Sequence, residues 1–384
     1  MSNLNFGQVA SLLTNLEKGS ISFGVGIPDP DTIPFSIIQE VSKSIFSDEN
    51  LPMLSNYNGA SGIPQAQNYF LGNFKDTKIK EPGCIITNGG QEGLDLCGKL
   101  ISKNQNGVLV ENPSYPGALF TFSIYGFPIH TFEVLPEFKI DNFKESILKS
   151  DAKFVYLIPN NHNPLGISYT RVQMDQISEV LSDSGIYIIE DDPYSKISFT
   201  ERQTTLMHQV YGNTIYIGST SKILTPSLRM GYVVSNQSTI NNLSRLKMCA
   251  NICTNPFTQL QVIGVFELEK FQHVLNDNIR KYKEKRDTMI KSIEKHLGEN
   301  VSYEVPQGGL FLWLTLPKEI DSEELFKKSI QKKLGIFPGY LFFTGEDKPK
   351  NHIRLNFSNP KLENIDKGIK LLAALINELV PHKI

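Results

Sequence analysis

Six short apolar runs, most of them ending in polar side chains, constrain this chain more than any other feature. They are Cys84–Thr87, Val108–Val110, Phe154–Ile158, Ile186–Ile189, Thr214–Ile217 and Met230–Val234. Their apolar residues are consecutive and do not alternate with polar ones, the pattern of strands covered on both faces. Helix-like stretches lie between several of them. In Arg171–Asp183, Met174, Ile177 and Leu181 fall on one face, and Thr170 with Gln173 forms a capping-box pattern. Strands alternating with helices predict an α/β fold with a mostly parallel sheet.

In such a sheet a ligand binds at the carboxyl ends of the strands. Five of the runs are followed there by groups with chemistry to offer: Asn88-Gly89-Gly90-Gln91, Glu111-Asn112-Pro113-Ser114-Tyr115, Asn160 to Gly166, Glu190-Asp191-Asp192-Pro193-Tyr194 and Gly218-Ser219-Thr220-Ser221-Lys222. Five together point to one polar ligand ringed by all of them. Gly90 and Gln91 open a helix, where backbone N–H groups and the helix dipole favour a phosphate; a plain strand-to-helix turn reads equally well. Ser219, Ser221 and Arg229 would complete such a cup, although an arginine taken alone reads as a surface ion pair. Asp191 ends a very apolar strand and needs a partner, either a protonated ring nitrogen or, in a turn-like Asp-Asp-Pro, a backbone cap. Tyr194 and Asn163 would donate to a phenolate-like oxygen. Tyr115 offers a face for stacking, or is simply half-buried. Lys222 sits among hydroxyl residues seven positions before Arg229. The pair is either a solvated surface or two cations serving one anion, with the lysine as nucleophile.

From about residue 256 the texture changes. Leu260–His296 reads as one long helix, Phe311–Leu316 and Ile353–Phe357 as strands, and Glu323–Lys333 and Leu362–Leu379 as helices. A smaller α+β domain is expected there, joined by the N-terminal arm up to Pro34. Lys+Arg 38 against Asp+Glu 40 gives a net charge of −2, which argues for neither a nucleic-acid nor a membrane partner. No apolar run spans a bilayer and no leader pattern opens the chain. The four cysteines form no disulfide or zinc framework, so a reduced, cytoplasmic, metal-free protein is expected. Gly93–Leu100 nearly matches a phosphate-binding loop, but Leu100 replaces the magnesium-binding hydroxyl. Leu94, Cys97 and Ile101 make it a core-facing helix.

Taken in order, these segments resemble the fold-type I aminotransferases that use pyridoxal 5'-phosphate. The branch is the one holding 2-aminoadipate aminotransferases and the aminotransferase-like half of MocR regulators. The resemblance runs from Gly26-Ile27-Pro28-Asp29-Pro30, through Asn163-Pro164-Leu165-Gly166, Asp191-Asp192-Pro193-Tyr194 and Ser219-Thr220-Ser221-Lys222, to Gly308-Gly309 and His352-Ile353-Arg354-Leu355. It implies a large cofactor-binding domain (35–270) with a seven-stranded sheet, a small α+β domain (271–384) and an arm (1–34). It implies that Lys222 is the Schiff-base lysine and that Asp191 holds the ring nitrogen protonated. Tyr194 and Asn163 bind the ring oxygen, and Tyr115 stacks on the ring. Gly90, Gln91, Ser219, Ser221 and Arg229 bind the phosphate, together with Tyr57 from a neighbouring subunit of a homodimer. Arg354 clamps the substrate α-carboxylate, and Gly26 lines the substrate pocket.

Two departures stand out. Ala66-Gln67 replaces a leucine–arginine pair that is structural in the family, and His162 stands where glutamine is common. The implied reaction moves an amino group between an L-amino acid and a 2-oxo acid. Aromatic, branched and 2-aminoadipate-like donors all stay open. The same lysine and aspartate also suit a β-lyase, a decarboxylase or a racemase. A ligand-sensing regulator is disfavoured, because the stretch before Gly24 is too short for a winged helix.

Overall fold

Seven strands form the central sheet of the computed structural model: β1 (Pro82–Thr87), β2 (Gly107–Asn112), β3 (Ile129–Glu133), β4 (Ala152–Leu157), β5 (Tyr187–Asp192), β6 (Thr214–Ser219) and β7 (Gly231–Asn236). Their spatial order is β1-β7-β6-β5-β4-β2-β3. All run parallel except β7, which is antiparallel to both neighbours. The structure describes residues 4–104, 106–135, 137–200, 206–345 and 347–380. Residues 1–3 of the expected arm and 381–384 of the expected small domain lie outside these.

The six apolar runs became six of the strands. The seventh, β3, is the edge strand Ile-His-Thr-Phe-Glu, in which only Phe132 is buried. An edge strand half open to solvent carries mixed residues, so it lacks the continuous apolar signature of its neighbours.

Alternation along the strands separates two chemistries. On β5, Asp191 shares a face with Ile189, and Tyr156 of β4 lies opposite Ile189 in register. This face packs under helices Gly90–Asn104, Pro116–Ile124 and Gln237–Asn251 through Leu94, Cys97, Ile101, Phe122 and Leu243, all essentially inaccessible. Truncating Phe122 to alanine there would cost about 3–5 kcal/mol. The Gly93–Leu100 segment is the middle of the first of these helices, with Leu94, Cys97 and Ile101 buried. On the other face, Glu190 is held by the Met207 and His208 amides, and Asp192 by Tyr216 and Ser195.

The stretch read as one helix over Leu260–His296 is two, Pro256–Phe266 and Glu269–His296. The first packs on helix Phe35–Ile45 and the second on helix Leu362–Leu379, so the chain turns at Glu267–Leu268 to serve two different surfaces. Phe266 and Phe271 stack across the turn, their centroids 5.0 Å apart. Beyond it, Phe311–Thr315, Phe337–Pro338 and His352–Asn356 form a three-stranded antiparallel sheet. Ile21–Ser22 of the arm pairs with Leu334–Gly335. The Asn356 amide donates to the carbonyls of Val25 at 2.6 Å and Ile27 at 3.2 Å. The arm is thus laid along this sheet, where it enters the cavity described next.

Candidate active site

A cavity of about 290 Å³ opens at the carboxyl ends of β1, β2, β4, β5 and β6. Gly26, Gly90, Gln91, Tyr115, Asn163, Asp191, Tyr194, Ser219, Ser221, Lys222, Arg229 and Arg354 all line it. Five strand ends and two distant segments, the arm and strand His352–Asn356, therefore converge on one space.

At its depth lies Asp191, which accepts a hydrogen bond from Tyr156 Oη at 2.7 Å. Burial raises its carboxyl to about 7. Asp192 and Glu111 add to the rise, while the Tyr156 bond and the Lys222 charge oppose it. Across the cavity, Lys222 Nζ donates to the Gly26 carbonyl at 2.6 Å. Burial lowers its amine to about 8, helped by Arg354 and then Arg229 and opposed by Asp191. An amine shifted this far has a substantial neutral fraction near neutral pH, so it can act as nucleophile or general base. Tyr194 is buried edge-on against Phe311, and burial raises its phenol far above the ordinary range, so it stays a donor. Tyr115 caps helix Pro116–Ile124 and is raised to about 12, by burial first and Asp191 second.

The two ends of the cavity both carry arginines. At one, the turn at Gly89 (φ +82°) leads into helix Gly90–Asn104. Arg229, itself left-handed at φ 49°, donates from Nη2 to the Asn88 carbonyl and from Nη1 to the Pro226 carbonyl, each at 3.3 Å. At the φ of Gly89 a side chain would be strained, and a Cβ there would sit 2.6 Å from Arg229 Nη2 and push the guanidinium aside. Ser219 and Ser221 stand nearby, the Ser221 amide donating to Ser219 Oγ at 3.3 Å. At the other end Arg354 is buried. Its Nη1 donates to Asn163 Oδ1 at 2.9 Å and its Nη2 to the Gly24 carbonyl at 2.8 Å. The rings of Phe311 (4.1 Å), Phe337 (4.6 Å) and Phe342 (5.2 Å) surround it. Among the described residues its Nε meets no partner, leaving a spare buried donor.

One predicted residue stays apart. Tyr57 is 85% exposed and does not line the cavity of its own chain. His162 is buried with its ring turned to Glu111, Nε2 to Oε2 3.1 Å, and lies outside the cavity wall.

The family model for aminotransferase class I and II matches residues 19–372. An aromatic-amino-acid aminotransferase of Thermococcus litoralis is 30% identical over 391 residues, covering 97% of this chain and 91% of that protein. The chain belongs to the class I and II aminotransferases. Solved relatives carry the fold closely. A kynurenine aminotransferase of Pyrococcus horikoshii superposes with a TM-score of 0.89 at 28% identity, over 99% of this chain and 96% of that one. LysN, the α-aminoadipate aminotransferase of Thermus thermophilus, does so at 0.87 and 27%, over 98% of both, in a complex with N-(5'-phosphopyridoxyl)-L-leucine.

This aminotransferase uses pyridoxal phosphate, and the residues present fit that group. One end of the cavity supplies a guanidinium, hydroxyls and a helix N-terminus for a dianion. The depth supplies a buried acid, the wall a phenol and an amide, and the opposite side an amine whose pKa is lowered to about 8.

Some residues of the aminotransferase cavity carried no sequence signal that was read. Helix Phe6–Thr14 contributes Phe6, Ala10, Leu13 and Thr14 to the wall. Its capping box, Asn5 with Gln8, announces a helix, though not where it docks. In the sequence Tyr156 stands only as one residue of an apolar strand. A polar tip inside such a strand needs a buried partner, and that was the available clue.

Proposed function

We propose that this aminotransferase takes the amino group from an apolar L-amino acid, aromatic or branched, and passes it to a 2-oxo acid. One observation carries the reading. Around the Arg354 end the wall consists of Phe6, Leu13, Val25, Ile27, Phe311 and Phe337, and among the described lining residues the only cations are Lys222, Arg229 and Arg354. With two arginines committed to the two ends, a distal substrate carboxylate has no cation to meet, whereas an aromatic or branched side chain has a wall to bury against. The 30%-identical relative named for aromatic amino acids supports the same choice.

Pyridoxal phosphate supplies an electron sink for charge developing at the substrate α-carbon. Asp191, at the depth of the cavity, would be the acid that partners the ring nitrogen and holds it protonated. Lys222 Nζ, its pKa lowered to about 8, would hold and move the proton of the substrate α-carbon. Arg354 grips the α-carboxylate in two-pronged fashion, which fixes the direction of the Cα–H bond. Gly90, Gln91, Ser219, Ser221 and Arg229 would bind the phosphate. Tyr194 and Asn163 would bind the ring oxygen, Tyr115 would cover the ring, and Gly26 would border the substrate.

The chain acts as a cytoplasmic homodimer in which Tyr57 reaches the partner's phosphate site; its 85% exposure in one chain is consistent with that. It divides into arm 1–34, large domain 35–270 and small domain 271–384. The helix break at Glu267–Leu268 and the pairing of Ile21–Ser22 with Leu334–Gly335 support the division.

The test is a panel of amino donors with 2-oxoglutarate and with pyruvate as acceptors, read by oxo-acid formation. Aromatic and branched donors should exceed 2-aminoadipate and glutamate in kcat/KM by about tenfold or more, the scale of an uncompensated carboxylate. Preference for acidic donors, or release of ammonia or carbon dioxide, would contradict the proposal.

A further inference from the structure

We propose that Lys247 and Glu92 form a positioning relay that shapes and neutralises the back of the phosphate end. This inference rests on the phosphate assignment above. Lys247, on helix Gln237–Asn251, is completely buried, which is unusual for a lysine. Its ammonium meets Glu92 Oε1 at 3.0 Å and Oε2 at 2.9 Å, and Asn251 Oδ1 at 2.9 Å. Asn251 in turn donates from its amide to Glu92. Glu92 Oε2 accepts the Asn88 backbone N–H at 2.5 Å and the Asn88 side-chain amide at 3.1 Å. The Asn88 carbonyl then holds Arg229 Nη2 at 3.3 Å, against Gly89. One chain of contacts therefore runs from a buried lysine to the arginine that lines the cavity. Glu92, Arg229 and Asn251 also line a shallow groove behind it.

Charge explains the arrangement. Glu92 lies in the first turn of helix Gly90–Asn104, the end that faces the cavity. A carboxylate there suits the helix dipole but competes with any anion bound at the same terminus. Lys247 cancels that charge from behind. Glu92 can then serve as the acceptor that pins Asn88, and through it the glycine turn and Arg229, without repelling phosphate. Neither residue lines the cavity with Lys222 and Asp191, so both are positioning residues.

Titration of the cofactor-free full-length protein with pyridoxal phosphate, and separately with pyridoxal, followed by fluorescence quenching, tests the relay. Lys247→Met should weaken pyridoxal phosphate roughly tenfold, because Glu92 is left uncompensated beside the anion. Adding Glu92→Gln to it should restore the affinity to within about threefold of the parent protein, a coupling expected of groups in contact. Glu92→Gln alone keeps an acceptor for Asn88 and should bind as tightly as the parent or more tightly. Pyridoxal, which lacks the phosphate, should bind all four proteins alike. A double variant as weak as Lys247→Met, equal losses for pyridoxal, or a tenfold loss in Glu92→Gln alone would overturn the relay. A parent protein that fails to bind pyridoxal phosphate would overturn the phosphate assignment itself.

Discussion

Arg229 and Arg354 close the two ends of one cavity by opposite means. Arg229 is exposed, sits in a left-handed turn, and leans on two backbone carbonyls at 3.3 Å. Arg354 is buried, bonded to a side-chain amide and a carbonyl below 3.0 Å, and ringed by three phenylalanines. The first end is built from two short segments, 88–91 and 219–229, each local in sequence, and its arginine is exposed. The second is assembled from the arm, the loop carrying Asn163 and three segments of the C-terminal third, and its arginine is buried. A doubly charged phosphate needs many modest contacts. A singly charged carboxylate that must be aimed needs one rigid, desolvated clamp, where each hydrogen bond counts for more.

Substitutions can break or sharpen this contrast. The largest effect belongs to neither end. Lys222 lies between them, and Lys222→Ala should lower turnover by at least about a thousandfold, the upper scale of general acid–base catalysis, in a steady-state assay. Arg354→Gln should lower kcat/KM by about 10²–10³ while leaving cofactor affinity unchanged, since it removes one partner of a buried charged contact. Arg229→Gln should do the reverse. It should weaken cofactor binding by about tenfold, measured by fluorescence titration, and leave kcat at saturating cofactor nearly unaltered. If Arg354→Gln weakened cofactor binding as much as Arg229→Gln does, the two ends would not be separate devices.

The smallest effect is a pH shift. The Lys222 amine is lowered to about 8, with Arg354 ahead of Arg229 among the charges responsible. Removing a nearby cation makes the charged amine less unfavourable, so the pKa must rise. Cofactor capture by the cofactor-free protein requires the neutral amine, so its rate should climb through about pH 8 in the parent protein. The midpoint should move upward in Arg354→Gln and by a smaller step in Arg229→Gln. A downward shift in either would contradict the sign of the coupling.

The contrast between the ends also governs how much could be read beforehand. The Arg229 end, which we propose holds the phosphate, left local signals in two short segments: a glycine pair opening a helix, and hydroxyls eight and ten residues ahead of an arginine. The strands were legible because burial on both faces leaves continuous apolar runs. β3, solvated along one edge, left no such run. Arg354, which we propose clamps the carboxylate, was singled out only through likeness to a family. Nothing local to Arg354 announces that Asn163 and Gly24 will meet its guanidinium, because that meeting depends on how the arm is laid along the small sheet by Asn356. The Lys247–Glu92 pair was hidden for the same reason, its members being 155 positions apart. The break at Glu267–Leu268 was missed because helical period continues across it, while the surface being covered changes.

The central claim is that the Lys222 amine and the Asp191 carboxyl flank one bound ring, and covalent trapping tests it most directly. The protein loaded with pyridoxal phosphate is reduced with borohydride, digested and mapped by mass spectrometry. The account predicts a single phosphopyridoxyl adduct, on Lys222, in the parent protein and none in Lys222→Ala. An adduct on another lysine, or none in a protein that still catalyses amino transfer, would contradict it.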